Sequence, residues 1–334
     1  MWDPHGGADR RTADLYRLLA RDRAVRLWTE FKPAPAFGSL PVERVRPWRR
    51  PRGGTLVIVG VYFPVRRWVR HCSADLVIVY NTEQPDRLSK LLRTIGERRV
   101  RIVFTSKELR RRTLETPMLR HLDRSLLEAA PVLESFVDPE PFEAAPTREE
   151  RTPFTVGRLS RDRARKHHPE DPALYASLAT LGMHVRVMGG TSLRDDVPRD
   201  DRIELLPAGA IPAPEFLATL DAFLYRTHPD YFEAFGRVVL EAMLCGIPVV
   251  AEARGGYARH IVHGQNGFLF ERPTEAVGLL AMLRDDPALR RRIGAAARAS
   301  SLQLFANDLP RRTVTTLLGS SAIASRDDDY QRAA

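Results

Sequence analysis

Two glutamates lie eight residues apart around an aromatic-glycine step, Glu233-Ala234-Phe235-Gly236-Arg237-Val238-Val239-Leu240-Glu241. Carboxylates accept paired hydrogen bonds from sugar hydroxyls, so two of them suit a ligand with two polar ends. Read as one helix, the spacing separates them by about 12 Å. Gly236 near the helix start lets a ligand approach the backbone. There the N–H groups of Phe235 and Gly236 can donate to a diphosphate or a sugar hydroxyl, helped by the positive helix end. Glu241 stands inside an apolar run that continues through Ala242-Met243-Leu244, which sets it apart from a solvated helix glutamate.

A second constellation is basic. Arg158, Arg161 and Lys166 follow the strand predicted at 154–156. Cations in such a loop could neutralise a leaving diphosphate without a metal; a solvated basic surface is the plainer alternative. Gly6-Gly7 opens a helix predicted over 12–19 and offers bare backbone to an anion. Asn81 heads a polar loop at the end of a buried strand, a usual place for ligand contacts. His228, just before the glutamate pair, is a candidate for substrate contact or for a structural role. No Gly-x-x-x-x-Gly-Lys loop, His-Glu-x-x-His or Cys-x-x-Cys motif occurs. Asp327 to Asp329 sit in a predicted tail, so no metal site is expected. Cys72 and Cys245 each lie in apolar patterns, which fits a reducing compartment.

These residues need a frame to position them. Apolar strands predicted over 55–63, 75–80, 100–105, 184–188, 202–206, 222–225 and 247–251 alternate with helices over 86–98, 107–114, 171–181, 215–220, 274–283 and 287–300. A strand is also predicted over 25–31 and a short helix over 66–71. Continuous apolar strands alternating with helices mean doubly wound α/β domains. The stretch 33–51, rich in Pro and Arg, reads as a connection. A Pro- and Glu-rich stretch over 128–152 reads as the inter-domain linker. No strand is read before the Gly6-Gly7 loop.

The chain has 334 residues, with 52 Lys and Arg against 42 Asp and Glu, for a formal net charge of +10. That balance favours anionic partners: nucleotides, acidic glycans or an anionic membrane face. The arginine excess lacks the aromatic interleaving of a nucleic-acid binder, so no nucleic acid is expected. Nothing read at the start is a leader, and the best apolar run is too short for a bilayer. The expectation is a cytoplasmic protein, at most peripheral on a membrane.

With these residues in view, the sequence resembles the retaining glycosyltransferases of family 4, which have the GT-B fold. The resemblance rests on Glu233 with Glu241, on Gly157-Arg158-Leu159-Ser160 followed by Lys166, on Gly255-Gly256 with Asn266 to Leu269, and more weakly on Gly6-Gly7-Ala8. It is strong over 154–271 and weak before that. It implies two Rossmann-like doubly wound domains facing across a cleft. Residues 1–140 would form the acceptor-binding domain and 150–310 the nucleotide-sugar-binding domain, with 311–334 a helix end and frayed tail.

By this resemblance Glu233, Arg158 and Lys166 carry catalysis, with Arg163 an alternative to Lys166. Gly6, Gly7, Arg161, Ala234, Phe235, Gly236, Val239 and Glu241 bind the donor, Glu241 at the ribose. Asn81 and His228 are candidates for acceptor or sugar contacts. The resemblance implies no cofactor and no metal: the nucleotide-diphosphate sugar is the substrate, and a glycan, lipid-linked or small molecule is the acceptor. Arg237 stands where the family usually has an apolar residue, and Arg259 where it commonly has a glutamate. The competing expectation is a degenerate nucleotide-sugar-binding or scaffold protein of the same fold.

Overall fold

The computed structural model describes residues 7–21, 23–32, 37–60, 67–81, 85–95, 100–117, 124–134, 137–142, 153–306 and 309–318. The chain divides into two compact units, Met1–Phe136 with Asn307–Ala334, and Val137–Ala306.

The first unit begins with α1 (Gly7–Leu19). A small parallel pair follows, β1 (Leu27–Thr29) and β2 (Val42–Arg44), in the register Leu27 to Val42. Next come β3 (Thr55–Val59), β4 (Leu76–Asn81), α2 (Pro85–Ile95), β5 (Val100–Phe104), α3 (Lys107–Glu115) and α4 (Arg124–Glu128). Strands β3, β4 and β5 form a parallel three-stranded sheet in that order. Val77, Val79, Ile102 and Phe104 from its strands bury with Leu88 and Leu91 of α2. Such burial explains the near-continuous apolar runs. At the start of α3 the Ser106 hydroxyl accepts from the Leu109 N–H at 3.1 Å, a side-chain cap.

The second unit holds β6 (Thr155–Leu159), α5 (Asp171–Thr180), β7 (His184–Met188), β8 (Ile203–Leu206), α6 (Ala213–Leu217) and β9 (Ala222–Tyr225). It continues with α7 (Arg237–Leu244), β10 (Val249–Glu252), β11 (Phe268–Phe270), α8 (Pro273–Asp285) and α9 (Pro287–Ala306). Its sheet runs β11-β10-β9-β6-β7-β8, every neighbouring pair parallel. The chain winds outward from β6 to β8, returns to β9, and winds outward the other way. That is the doubly wound order, and its reversal between β6 and β9 opens a crevice at the strands' carboxyl ends. α10 (Leu309–Leu318) returns to the first unit, where Arg101 Nη1 donates to the Thr316 carbonyl at 3.2 Å.

Several expectations change here. The stretch 33–51 contains β2, too short to show a period. The Pro-rich linker is partly fixed. The Phe104 N–H donates to the Pro131 carbonyl at 2.9 Å and the Leu133 N–H to the Phe104 carbonyl at 2.8 Å. Farther along, the Phe142 carbonyl accepts from Arg298 Nη1 at 2.8 Å. The helix end expected at the start of 311–334 is a helix of its own, α10, which stops at Leu318. Strand β6 runs through Leu159, so Gly157 and Arg158 are strand residues rather than loop residues.

Candidate active site

The switch point of the second unit gathers the charged residues. Arg158 ends up inside because β6 carries it there: the residue is 1% exposed. Its Nη1 donates to Asp171 Oδ2 and to the Arg226 carbonyl, both at 3.0 Å, and its Nη2 to the Lys166 carbonyl at 2.5 Å. The guanidinium also lies over the Tyr225 ring, 5.2 Å from its centroid. Arg226, directly after β9, donates from Nε to the other oxygen of Asp171 at 2.6 Å. Two buried guanidiniums thus share one carboxylate at the start of α5. Burial works against the charge on Arg158, and Tyr175 and Asp171 more than offset it.

The 3-10 turn Ala164–Lys166 sits on this platform and aims one ammonium. Lys166 Nζ donates to Glu233 Oε2 at 2.7 Å and to the Tyr231 hydroxyl at 2.8 Å, with the Tyr231 ring centroid 4.1 Å away. The Tyr225 hydroxyl donates to the same Glu233 oxygen at 3.1 Å. Burial pushes the Glu233 carboxyl up, but Lys166 and these hydrogen bonds outweigh it and keep its pKa below the ordinary value. Burial, then Glu233, pushes the Tyr225 phenol well above its usual range, so it stays a neutral donor.

Glu233 itself lies ahead of α7. The Gly236 N–H points at Glu233 Oε1 at 3.4 Å, and Gly236 has φ +74°. A side chain there would be strained and would meet Tyr257 at 2.6 Å. The Gly255-Gly256 pair holds the same backbone from behind. The Gly256 N–H donates to the Glu233 carbonyl at 2.7 Å, and a Cβ on Gly256 would meet the Ala234 carbonyl oxygen at 1.9 Å. The one-helix spacing of Glu233 and Glu241 is therefore corrected: α7 begins at Arg237, and only Glu241 is on it. Glu241 is fully buried, and Arg237 Nε donates to its Oε1 at 2.7 Å.

Further corrections follow from burial. Arg158, read as a diphosphate cation in a loop, is a buried strand residue whose terminal nitrogens are spent on Asp171 and on the Arg226 and Lys166 carbonyls. Val239 is fully buried, and its N–H donates to the Gly236 carbonyl at 2.9 Å, so neither group is presented to a ligand. The side chains of Ala234 and Phe235 are buried too, leaving backbone as their means of contact. Arg161 is half-buried and Arg163 exposed; Lys166, not Arg163, meets Glu233. His228 accepts at Nδ1 from the Asp230 N–H at 3.1 Å, within its own loop. Gly7 starts α1, and Asn81 ends β4 in the first unit. Gly6 and the side chain of Asn81 lie outside the described residues. Among the described residues no cluster of three or more His, Cys, Asp or Glu could hold a metal.

One residue that holds the site's backbone escaped the sequence. Arg254, just past β10, clamps the loop that carries Tyr231. Its guanidinium donates to the carbonyls of Pro229 at 2.5 Å, His228 at 2.7 Å, Tyr231 at 3.2 Å and Thr227 at 3.4 Å. The arginine beside Gly255-Gly256 was its only trace in the sequence.

Residues 208–300 match the family model described as "Glycosyl transferases group 1". A D-inositol 3-phosphate glycosyltransferase of Pseudarthrobacter chlorophenolicus is 39% identical over 104 residues, 30% of this chain and 24% of that protein. A glycogen synthase of Mycobacterium tuberculosis is 33% identical over 120 residues, 35% of this chain and 28% of that protein. The matched stretches thus span about a quarter of these relatives' length, at 24% and 28%. Among solved structures, Anabaena Alr3699/HepE in complex with UDP and glucose gives a TM-score of 0.71 at 18% identity, covering 96% of this chain and 97% of that one. WaaG, a glycosyltransferase involved in lipopolysaccharide biosynthesis, gives 0.64 at 15% identity, covering 95% and 98%. These likenesses establish a GT-B fold.

Proposed function

We propose that this chain, which carries a group 1 glycosyltransferase segment on a GT-B fold, moves a sugar from a nucleotide-diphosphate donor to a glycan, lipid-linked or small-molecule acceptor. The observation that carries the reading is the Lys166–Glu233 pair at the switch point, at 2.7 Å. An ammonium has three N–H donors. Glu233 and Tyr231 take two, and the third serves a diphosphate oxygen. Arg158, paired with Asp171, holds the Lys166 carbonyl from beneath, and Arg226 answers both Asp171 and Glu170, so the support is charge-balanced and the pull on an anion comes from Lys166 itself. Glu233 stays ionised and accepts donor-sugar hydroxyls, joined by the Phe235 and Gly236 backbone.

Departure of the diphosphate leaves positive charge on the sugar and negative charge on the phosphate. Lys166 stabilises the latter, a preorganised electrostatic contribution. We assign family 4 membership and retention of configuration on the resemblance carried by Glu233 with Glu241 and by Gly157 to Ser160 with Lys166, and metal independence on Lys166 as the cation that meets the diphosphate. The phosphate leaves on the face the acceptor enters and takes the acceptor's proton. We place the protein in the cytoplasm, peripheral on an anionic membrane face, with no nucleic acid as partner. Among the described residues no helix is long and apolar enough to cross a membrane.

The test is a donor screen read by nucleotide-diphosphate release, with Glu233→Gln and Lys166→Met as controls. Each should lose about 10²- to 10³-fold in turnover with the circular dichroism of the parent. Undiminished turnover in Glu233→Gln sinks the assignment. A second reading, a donor-binding protein without transfer, draws on the Arg237–Glu241 pair, which already engages the carboxylate assigned to the ribose. Calorimetric donor binding with no product on any acceptor of a lipid and glycan panel would favour it.

A further inference from the structure

We propose that the turn Arg46-Pro47-Trp48-Arg49 of the first unit is a membrane anchor, with Trp48 seated in the headgroup layer of an anionic bilayer and arginines around it binding lipid phosphates. This rests on the membrane part of the proposed function and names the surface that would carry it. Trp48 is 77% exposed, while the next most exposed large apolar residue among those described, Val262, is 49% exposed. A single exposed apolar residue is ordinary, but a tryptophan this exposed among arginines presents an amphipathic ring that suits a membrane–water interface. Residues 44–52 read Arg-Val-Arg-Pro-Trp-Arg-Arg-Pro-Arg, five arginines with no acid.

The turn is held rigidly. Arg46 and Arg49 exchange both backbone hydrogen bonds, at 2.9 and 3.1 Å. Arg49 Nη2 meets Glu43 Oε2 at 2.7 Å, and Arg26 grips the same carboxylate at 2.6 Å. On one side the Val45 N–H donates to the Thr29 carbonyl at 2.8 Å; on the other the Gly53 N–H donates to the Ser73 carbonyl at 3.0 Å. Glu43 thus uses two arginines to fix the base. Arg46, Arg50 and Arg52 make no side-chain hydrogen bond or ion pair among the described residues.

The register adds to the patch. Strands β1 and β2 are parallel with Thr29 level with Arg44. Phe31 and Lys32 therefore leave the sheet at the same end as the turn, and Phe31 is itself 38% exposed. Two exposed aromatics and a set of unpaired cations share one end. Small-ligand and glycan sites are concave, whereas a tryptophan at the tip of a turn suits a deformable interface. Cations near an anionic leaflet are each drawn in by its surface potential.

Flotation with vesicles of phosphatidylcholine alone, and of phosphatidylcholine with phosphatidylglycerol, tests this on the full chain. The parent should float only with the anionic vesicles. Each of Arg46→Gln, Arg50→Gln and Arg52→Gln should weaken partitioning about five-fold, and the triple variant roughly a hundred-fold. Trp48→Ala should weaken it further without shifting the thermal midpoint or turnover on a soluble acceptor. If the variants float like the parent, the anchor is overturned while membrane association stands. If the parent floats with neither vesicle, both fall. Trp48-dependent binding to soluble polygalacturonate or single-stranded DNA, with no flotation, overturns the anchor in favour of a glycan or nucleic-acid surface.

Discussion

In the second unit Arg158 and Arg226 are each 2% exposed at the side chain and share Asp171. In the first unit Arg111 is 59% exposed and bridges Glu108 and Glu115 along one face of α3. One residue type makes comparable bond lengths in both places, and the surroundings decide what each is worth. At the switch point the guanidiniums have left water, so losing their partner strands a charge in a poor solvent. On α3 water and salt stand in for any lost partner. The difference teaches where this chain's basic residues shape a site and where they only decorate a surface.

Asp171→Ala probes the contrast at its strongest. It leaves buried Arg158 without a carboxylate and Arg226 with only the exposed Glu170 at 3.4 Å, and it removes the acceptor of the His168 N–H at 3.0 Å. The expected loss is about 3–5 kcal/mol, read by urea denaturation. A loss near zero would mean that water reaches the pair, and the contrast would break.

The same burial makes a pH prediction. His167 is 1% exposed, with Nε2 at 2.8 Å from the Gly189 carbonyl. Burial first, then the Arg158 charge, lowers its pKa to about 4 from an ordinary 6.5. The unfolded chain therefore binds this proton more readily than the native one. Stability from neutral His167 is complete above pH 6.5 and is lost as pH falls toward about 4. Within that window the slope approaches 1.4 kcal/mol per pH unit, about 3 kcal/mol in all. His260 is lowered to about 4 as well and adds a parallel slope. Glu233, with a lowered pKa, acts only below the ordinary carboxylate range. His167→Gln should flatten denaturation midpoints between pH 6.5 and 4 by one histidine's share; an unchanged profile would place the proton elsewhere.

How legible this was in the sequence follows the same division. Strands such as Leu76–Asn81 and His184–Met188 were readable because burial on both faces demands continuous apolar residues. Glu233 and Lys166 were readable from motif spacing, and the structure brings them together. Their support was not. Arg158 looked like a loop cation because sequence does not show that β6 continues through Leu159 into the interior. The break between Glu233 and α7 depends on the left-handed Gly236 and on Gly256 packing against the Ala234 carbonyl, both long-range facts. Strand Val42–Arg44 is three residues long and carries no period. In the first unit Gly6, Asn81 and the loop after it never gained the second constellation that fixed Lys166.

Arg254 tests an intermediate case, since its side chain is 35% exposed yet makes four bonds to loop carbonyls. Arg254→Met should loosen the 227–231 loop by about 1–2 kcal/mol, visible as faster amide exchange there. Because the loop presents Tyr231 to Lys166, donor KM should rise more than kcat falls. Equal exchange in parent and variant would assign the loop's order to the protein around it.

The smallest effect is expected at Arg111. Its nitrogens lie 2.7 Å from Glu108 and 2.6 Å from Glu115, shorter than the Arg158–Asp171 distance of 3.0 Å. If geometry alone set the energy, Arg111→Ala would rival Asp171→Ala. Exposure argues otherwise: the long side chains give up rotamer freedom to meet, and each charge is fully solvated when they part. The urea midpoint of Arg111→Ala should match the parent at moderate salt, with only a slight fall at low ionic strength, where screening is weak. A shift comparable to that of Asp171→Ala would show that α3 holds its charges out of water and would erase the distinction between the two units.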